Sequence, residues 1–111
     1  MRIAIPSETD EGLNGFVAEH FGRAPYYVIV DIEEGKIVKV QVEKTPSTEH
    51  VFGLIPRFLK ERKVDLIIAM RMGPRARELF RQLGIRVITG ASGRIIDLIN
   101  ELKREITKIQ E

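Results

Sequence analysis

The residues best suited to chemistry in this chain are its two histidines, His20 and His50. His20 lies in Glu19-His20-Phe21-Gly22-Arg23-Ala24-Pro25, and His50 heads His50-Val51-Phe52-Gly53. The chain has no cysteine. Disulfides and thiolate-ligated zinc or iron–sulfur sites are therefore excluded. A soft metal or metal cluster would have to use imidazole nitrogen, which makes His20 and His50 the candidate metal ligands. The ordinary alternative is that each histidine only hydrogen-bonds its own loop. Arg23, Arg71 and Arg75 are candidate anion-binding groups, with a solvated basic face as the alternative. Met70 and Met72 offer thioethers, although methionine more often fills a core.

The elements that position these residues follow from periodicity. Arg2 to Ile5 reads as a strand stopped by Pro6. A long Gly-rich loop follows over residues 6–24, and long loops in small domains are often functional. Tyr26 to Ile32 is a nearly continuous apolar run, as in a strand buried on both faces. After the turn Glu33-Glu34-Gly35, Lys36 to Glu43 alternates, with Val38, Val40 and Val42 on one face. This predicts a half-exposed edge strand and a β-hairpin. Val51, Leu54, Ile55, Phe58 and Leu59 then recur at helical spacing. Pro56 is tolerated only in a first turn, so the helix should begin near residues 52–55. Val64 to Ala69 reads as a buried strand. Gly73-Pro74 opens a helix that Gly84 ends. Ile85 to Thr89 is the last strand. Ser92 is the expected N-cap of a long helix bearing Ile95, Ile99, Leu102, Ile106 and Ile109 on one face.

The order β-β-β-α-β-α-β-α predicts an α/β fold with a mixed five-stranded sheet ordered 3-2-1-4-5. Strand 2 runs antiparallel to the rest, and right-handed helical crossovers join the parallel strands. Residues 6–25, 44–53, 70–74 and 89–93 should then emerge at one end. Ligands of open α/β sheets bind outside the carboxyl ends of the strands. Both histidines and the three arginines belong to that end. So do helix starts near Gly53, Gly73 and Gly93, whose free N–H groups favour anions. Gly90-Ala91-Ser92-Gly93 has the spacing of neither phosphate-binding fingerprint.

At 111 residues the chain reads as one domain, residues 1–111. Lys and Arg total 18 against 16 Asp and Glu, a balance that gives no argument for nucleic acid. No apolar run approaches the roughly 20 residues of a membrane span. The opening Met1-Arg2-Ile3-Ala4-Ile5-Pro6 is too short for a signal peptide, and a cytoplasmic protein is expected. Two-metal catalysis needs converging acids. Only Asp10, Glu11 and Glu19 approach the mouth, since Asp31 and Asp65 fall toward the other end. No Gly-x-Ser-x-Gly elbow is present either. The chain reads as a binding protein, not an enzyme.

Over nearly its whole length the chain resembles the dinitrogenase iron–molybdenum cofactor-binding domain family, the small accessory proteins of the NifX and NifB C-terminal type. Met1-Arg2-Ile3-Ala4-Ile5-Pro6 and Glu19-His20-Phe21-Gly22-Arg23-Ala24-Pro25-Tyr26 are similar to the family's opening. His50-Val51-Phe52-Gly53 resembles its His-x-x-Gly, and Met72-Gly73-Pro74-Arg75-Ala76 its Gly-Pro helix start. Gly84-Ile85-Arg86-Val87 and Gly90-Ala91-Ser92-Gly93 resemble its last strand and following loop. The chain departs from the pattern at Val51-Phe52, where the family often has small residues, and bulk there would narrow access to His50. The resemblance implies a ribonuclease-H-like three-layer fold and a non-covalently bound metal–sulfur cofactor, iron–molybdenum or related. It also implies a carrier role toward a donor or acceptor protein. The cofactor-binding set is then His20, His50, Arg23, Gly53, Arg71, Gly73, Arg75 and Ser92. The alternative is a metal-free phosphate- or carboxylate-binding or regulatory interaction domain.

Overall fold

A computed structural model describes residues 1–46 and 53–110, with side chains described through residue 105. His50 and the Val51-Phe52 pair lie outside the described residues. The strands are β1 (Arg2–Ser7), β2 (Tyr26–Glu33), β3 (Lys36–Lys44), β4 (Leu66–Ile68) and β5 (Arg86–Ile88). The helices are α1 (Leu54–Glu61), α2 (Pro74–Gln82) and α3 (Ile95–Gln110). The sheet order is β3-β2-β1-β4-β5, with β2 antiparallel to β1 and β3, and β4 parallel to β1 and β5. This is the predicted topology.

Strand alternation sorts the core into two layers. Ala4, Tyr27, Ile29 and Ile67 face Phe58 and Leu59 of α1 and Phe80 of α2. Ile3, Ile5, Val28, Val30, Leu66 and Ile68 face Ile95 and Ile99 of α3. The helices thus cover both faces of the central strands, which explains the near-continuous apolar runs of β2 and β4. At the far edge β3 runs out beyond that cover. Val38, Val40 and Val42 are 54%, 38% and 39% exposed.

Four elements have boundaries that differ from the sequence expectation. Pro6 does not stop β1, which runs on to Ser7 opposite Tyr26. The Pro6 carbonyl accepts a 2.8 Å hydrogen bond from the Ala18 N–H. It therefore faces away from β2, on the side where β4 gives no further partner, and the missing proline N–H removes no ladder bond. The strands β4 and β5 are shorter than their apolar runs. Finally, α3 starts at Ile95, three residues after Ser92, so Ser92 is not its N-cap. The carbonyl of Arg94 accepts from the N–H of Leu98 at 3.3 Å, and the Ile95 N–H goes to the carbonyl of Gly15 at 2.9 Å. A loop carbonyl from across the fold does what a capping side chain would have done.

Candidate functional site

The loop from β1 to β2 crosses the carboxyl end of the sheet and is tied down at successive points. The Val17 N–H donates to Gly93 O at 3.0 Å and the Ala18 N–H to Pro6 O at 2.8 Å. His20 then pairs with Arg71 as an isolated parallel bridge, with the Phe21 N–H donating to Arg71 O at 3.4 Å. Residues Phe21–Arg23 close a 3-10 turn in which the Arg23 N–H donates to His20 O at 3.1 Å. Beyond it, Thr45 donates to Pro25 O from its N–H and to Ala24 O from its hydroxyl, at 2.9 and 2.6 Å. The end of β3 therefore holds the loop where it turns into β2.

The His20–Arg71 pairing creates a cleft of about 420 Å³ lined by His20, Phe21, Gly22, Arg23, Arg71, Met72 and Gly73. One wall is the 3-10 turn and the other is the chain between β4 and α2. Gly73 stands immediately before α2, with Pro74 at its first turn. His20, Arg23 and Arg71 are exposed at the mouth. Arg71 Nη1 lies 3.5 Å from the Glu19 carboxylate, and both side chains are more than half exposed, so the pair is weak and open to exchange. The floor is apolar: Phe21 is buried and packs edge-on against Phe80 of α2 and Tyr27 of β2.

Four of the sequence candidates thus share one cleft: His20, Arg23, Arg71 and Gly73. Arg75 lies one step along α2, in a separate depression with Pro74, Glu78, Leu79 and Gln82. Gly53 precedes α1 with φ 86°, and a Cβ there would sit 3.6 Å from Leu79 of α2. Ser92 lines a third, with Thr89, Gly90 and Leu98, on the α3 side. Tyr27 was missed by sequence reasoning. Its hydroxyl donates to Phe21 O at 2.7 Å, and burial pushes its ionisation far above the ordinary tyrosine range. The signal was available, because a tyrosine inside a buried strand needs a partner for its O–H.

Among the described residues no three His, Cys, Asp or Glu side chains converge as a metal-binding group. The cleft instead combines one imidazole with two guanidiniums. That donor set suits an anion carrying its own inorganic ligands, with nitrogen completing a coordination sphere rather than building it. No helix among the described residues is long and apolar enough to cross a membrane.

This fold, a mixed β3-β2-β1-β4-β5 sheet with a cleft at the carboxyl end of its parallel strands, defines a class of small three-helix α/β domains. The family model for the dinitrogenase iron-molybdenum cofactor proteins matches residues 1–105, and the chain belongs to that family. The chain is 31% identical over 90 residues to the "uncharacterized protein MJ0580" of Methanocaldococcus jannaschii, covering 78% of this chain and 72% of that one. The crystal structure of PH0822 superposes with a TM-score of 0.88 at 40% identity, covering 95% of this chain and 92% of that one. The solution structure of TM1290 from Thermotoga gives 0.72 at 26% identity, covering 93% and 87%.

Proposed function

We propose that the chain is a non-enzymatic carrier of an anionic metal–sulfur cofactor, of the iron–molybdenum type or a related molybdenum or iron–sulfur cluster. The cargo sits in the cleft between the His20 turn and the Arg71-Met72-Gly73 segment. His20 is one candidate ligand. His50, in the segment that leads into α1, is the other. Arg23 and Arg71 steer and hold the negative charge, and Arg75 extends the basic rim. The carrier works in the cytoplasm, between a donor and an acceptor protein.

The observation that carries this reading is the His20–Arg71 pairing, which sets an imidazole and two guanidiniums around one cleft in a chain of this family. A carrier must also release its cargo. Several thiolates would hold a cluster tightly, whereas one or two imidazoles with arginine hydrogen bonds hold it reversibly. The absence of cysteine from the whole chain fits that requirement.

The test is anaerobic purification from the native host followed by metal and sulfide analysis. Molybdenum or iron with acid-labile sulfide, near stoichiometric with protein, is the expected result. Protein that carries phosphate or an organic acid and no metal would replace this reading with the metal-free alternative. Titration of His20→Ala and His50→Ala with isolated cofactor then assigns the ligands. Loss of an orienting group alone typically costs about 10–100-fold in metal affinity, so the double variant is the decisive one. Undiminished binding by it removes histidine ligation.

A further inference from the structure

The chain has nine glycines. Gly12, Gly35, Gly53, Gly84, Gly90 and Gly93 have positive φ, where a side chain is strained. Gly15 has φ −77°, but a Cβ there would lie 3.0 Å from both Ser7 Oγ and Thr9 Oγ1, so packing demands its glycine. Gly22 and Gly73 have neither reason. Both lie outside the left-handed region, Gly73 at φ −68°, and a Cβ at either meets nothing within 4 Å. The fold has room for alanine at both positions. Glycine at Gly22 adds freedom to the unfolded chain, which disfavours folding, and at Gly73, the N-cap of α2, it serves less well than serine would.

These two line the same cleft, one on each wall. We propose that Gly22 and Gly73 are contact points at which the cargo rests directly against the backbone, so that the cleft selects a bulky, weakly hydrated anion over a small oxyanion. The proposal rests on the carrier reading above and specifies its ligand. A small hydrated phosphate is held by guanidinium forks at the mouth and leaves both walls free to carry a methyl group. A sulfur-surfaced anion is wider and loses its water easily. It fills the cleft from wall to wall, and a Cβ on either side would occupy its volume. Gly73 also precedes α2, where glycine is acceptable but serine caps better. Serine at that position therefore keeps the helix start and adds the bulk.

The experiment titrates the intact chain, Gly22→Ala, Gly73→Ser and the double variant with tetrathiomolybdate and, separately, with inorganic phosphate, alongside melting curves. Melting temperatures should hold or rise. Tetrathiomolybdate affinity should fall roughly tenfold or more in each single variant, as an overpacked contact requires. Any phosphate binding should be unchanged. Wild-type protein that does not bind tetrathiomolybdate overturns this inference, whereas the carrier reading stands or falls on the metal and sulfide analysis of native protein. Wild-type binding that survives in the double variant overturns this inference alone. A clear fall in melting temperature for Gly22→Ala also overturns it, by showing that the fold itself needs that glycine.

Discussion

The hydroxyl of Tyr27 donates a 2.7 Å hydrogen bond to the backbone carbonyl of Phe21, from inside the core to the floor of the cleft. The same two residues touch edge-on through their rings, with centroids 6.3 Å apart. A strand residue of the central sheet thus sets the height of the turn that carries His20 and Arg23. Tyr27→Phe keeps the ring contacts and leaves the Phe21 carbonyl buried without this donor. It should destabilise the protein by about 1–3 kcal/mol, measured by chemical denaturation. Amide signals of residues 20–23 should shift more than those of β4. Unchanged stability would show that water or a relaxed turn replaces the bond.

Gly15 gives the opposite case to the two cleft glycines. A methyl group there meets Ser7 Oγ and Thr9 Oγ1 at 3.0 Å and Gly12 O at 3.3 Å. The Ser7 hydroxyl is fully buried and already engaged, accepting from the Thr9 N–H and donating to Thr9 O. Gly15→Ala should cost about 1–3 kcal/mol by overpacking. A melting curve matching that of Gly22→Ala would contradict this contrast.

Asp31 accepts hydrogen bonds from Arg2 Nε at 2.7 Å and Arg2 Nη2 at 3.2 Å. The Arg2 guanidinium holds the carboxyl below its ordinary pKa of 3.8, partly offset by desolvation. The pair's stabilisation is therefore complete above that value and is lost as the pH falls through the lower folded pKa. Asp31→Asn should be less stable than wild type at neutral pH, and the difference should close in strong acid. Parallel stability–pH curves would refute the linkage.

Glu19 lies 3.5 Å from Arg71, largely in solvent, and would compete with an anion for the role proposed for that guanidinium. Glu19→Gln should raise the affinity for tetrathiomolybdate a few-fold at low ionic strength. In molar salt, where screening acts over about 3 Å, the gain should vanish. A gain independent of salt would mean that Glu19 acts through loop shape rather than charge.

The sheet order was legible because periodicity changes at each junction and parallel strands demand crossovers. The Val64–Ala69 run and the Gly73-Pro74 start place β4 and α2 without ambiguity. Residues 20 and 71 could be assigned to one end of the sheet but not to one pairing. That pairing depends on a loop crossing back over β1, and loop paths leave no periodic trace. Ser92 misled because N-cap preference is local, whereas the start of α3 is set by the distant Gly15 carbonyl. The exposure of Val38, Val40 and Val42 was equally hidden, since alternation marks an apolar face without saying how far a helix reaches across it. His50 remains a sequence-level assignment.

The central place of β1 has a consequence for the order in which the molecule is made. Its antiparallel neighbour β2 follows within the next 26 residues of synthesis, whereas its parallel neighbour β4 begins only at Leu66. A nascent chain can zip β1, β2 and β3 into a meander well before the helical half exists. That early piece already contains the His20 wall of the cleft. The Arg71 wall arrives with β4, and the two meet through one bridge once the crossover has docked. The cleft therefore does not exist on an unfinished chain, and anything that needs both of its walls waits for the final fold.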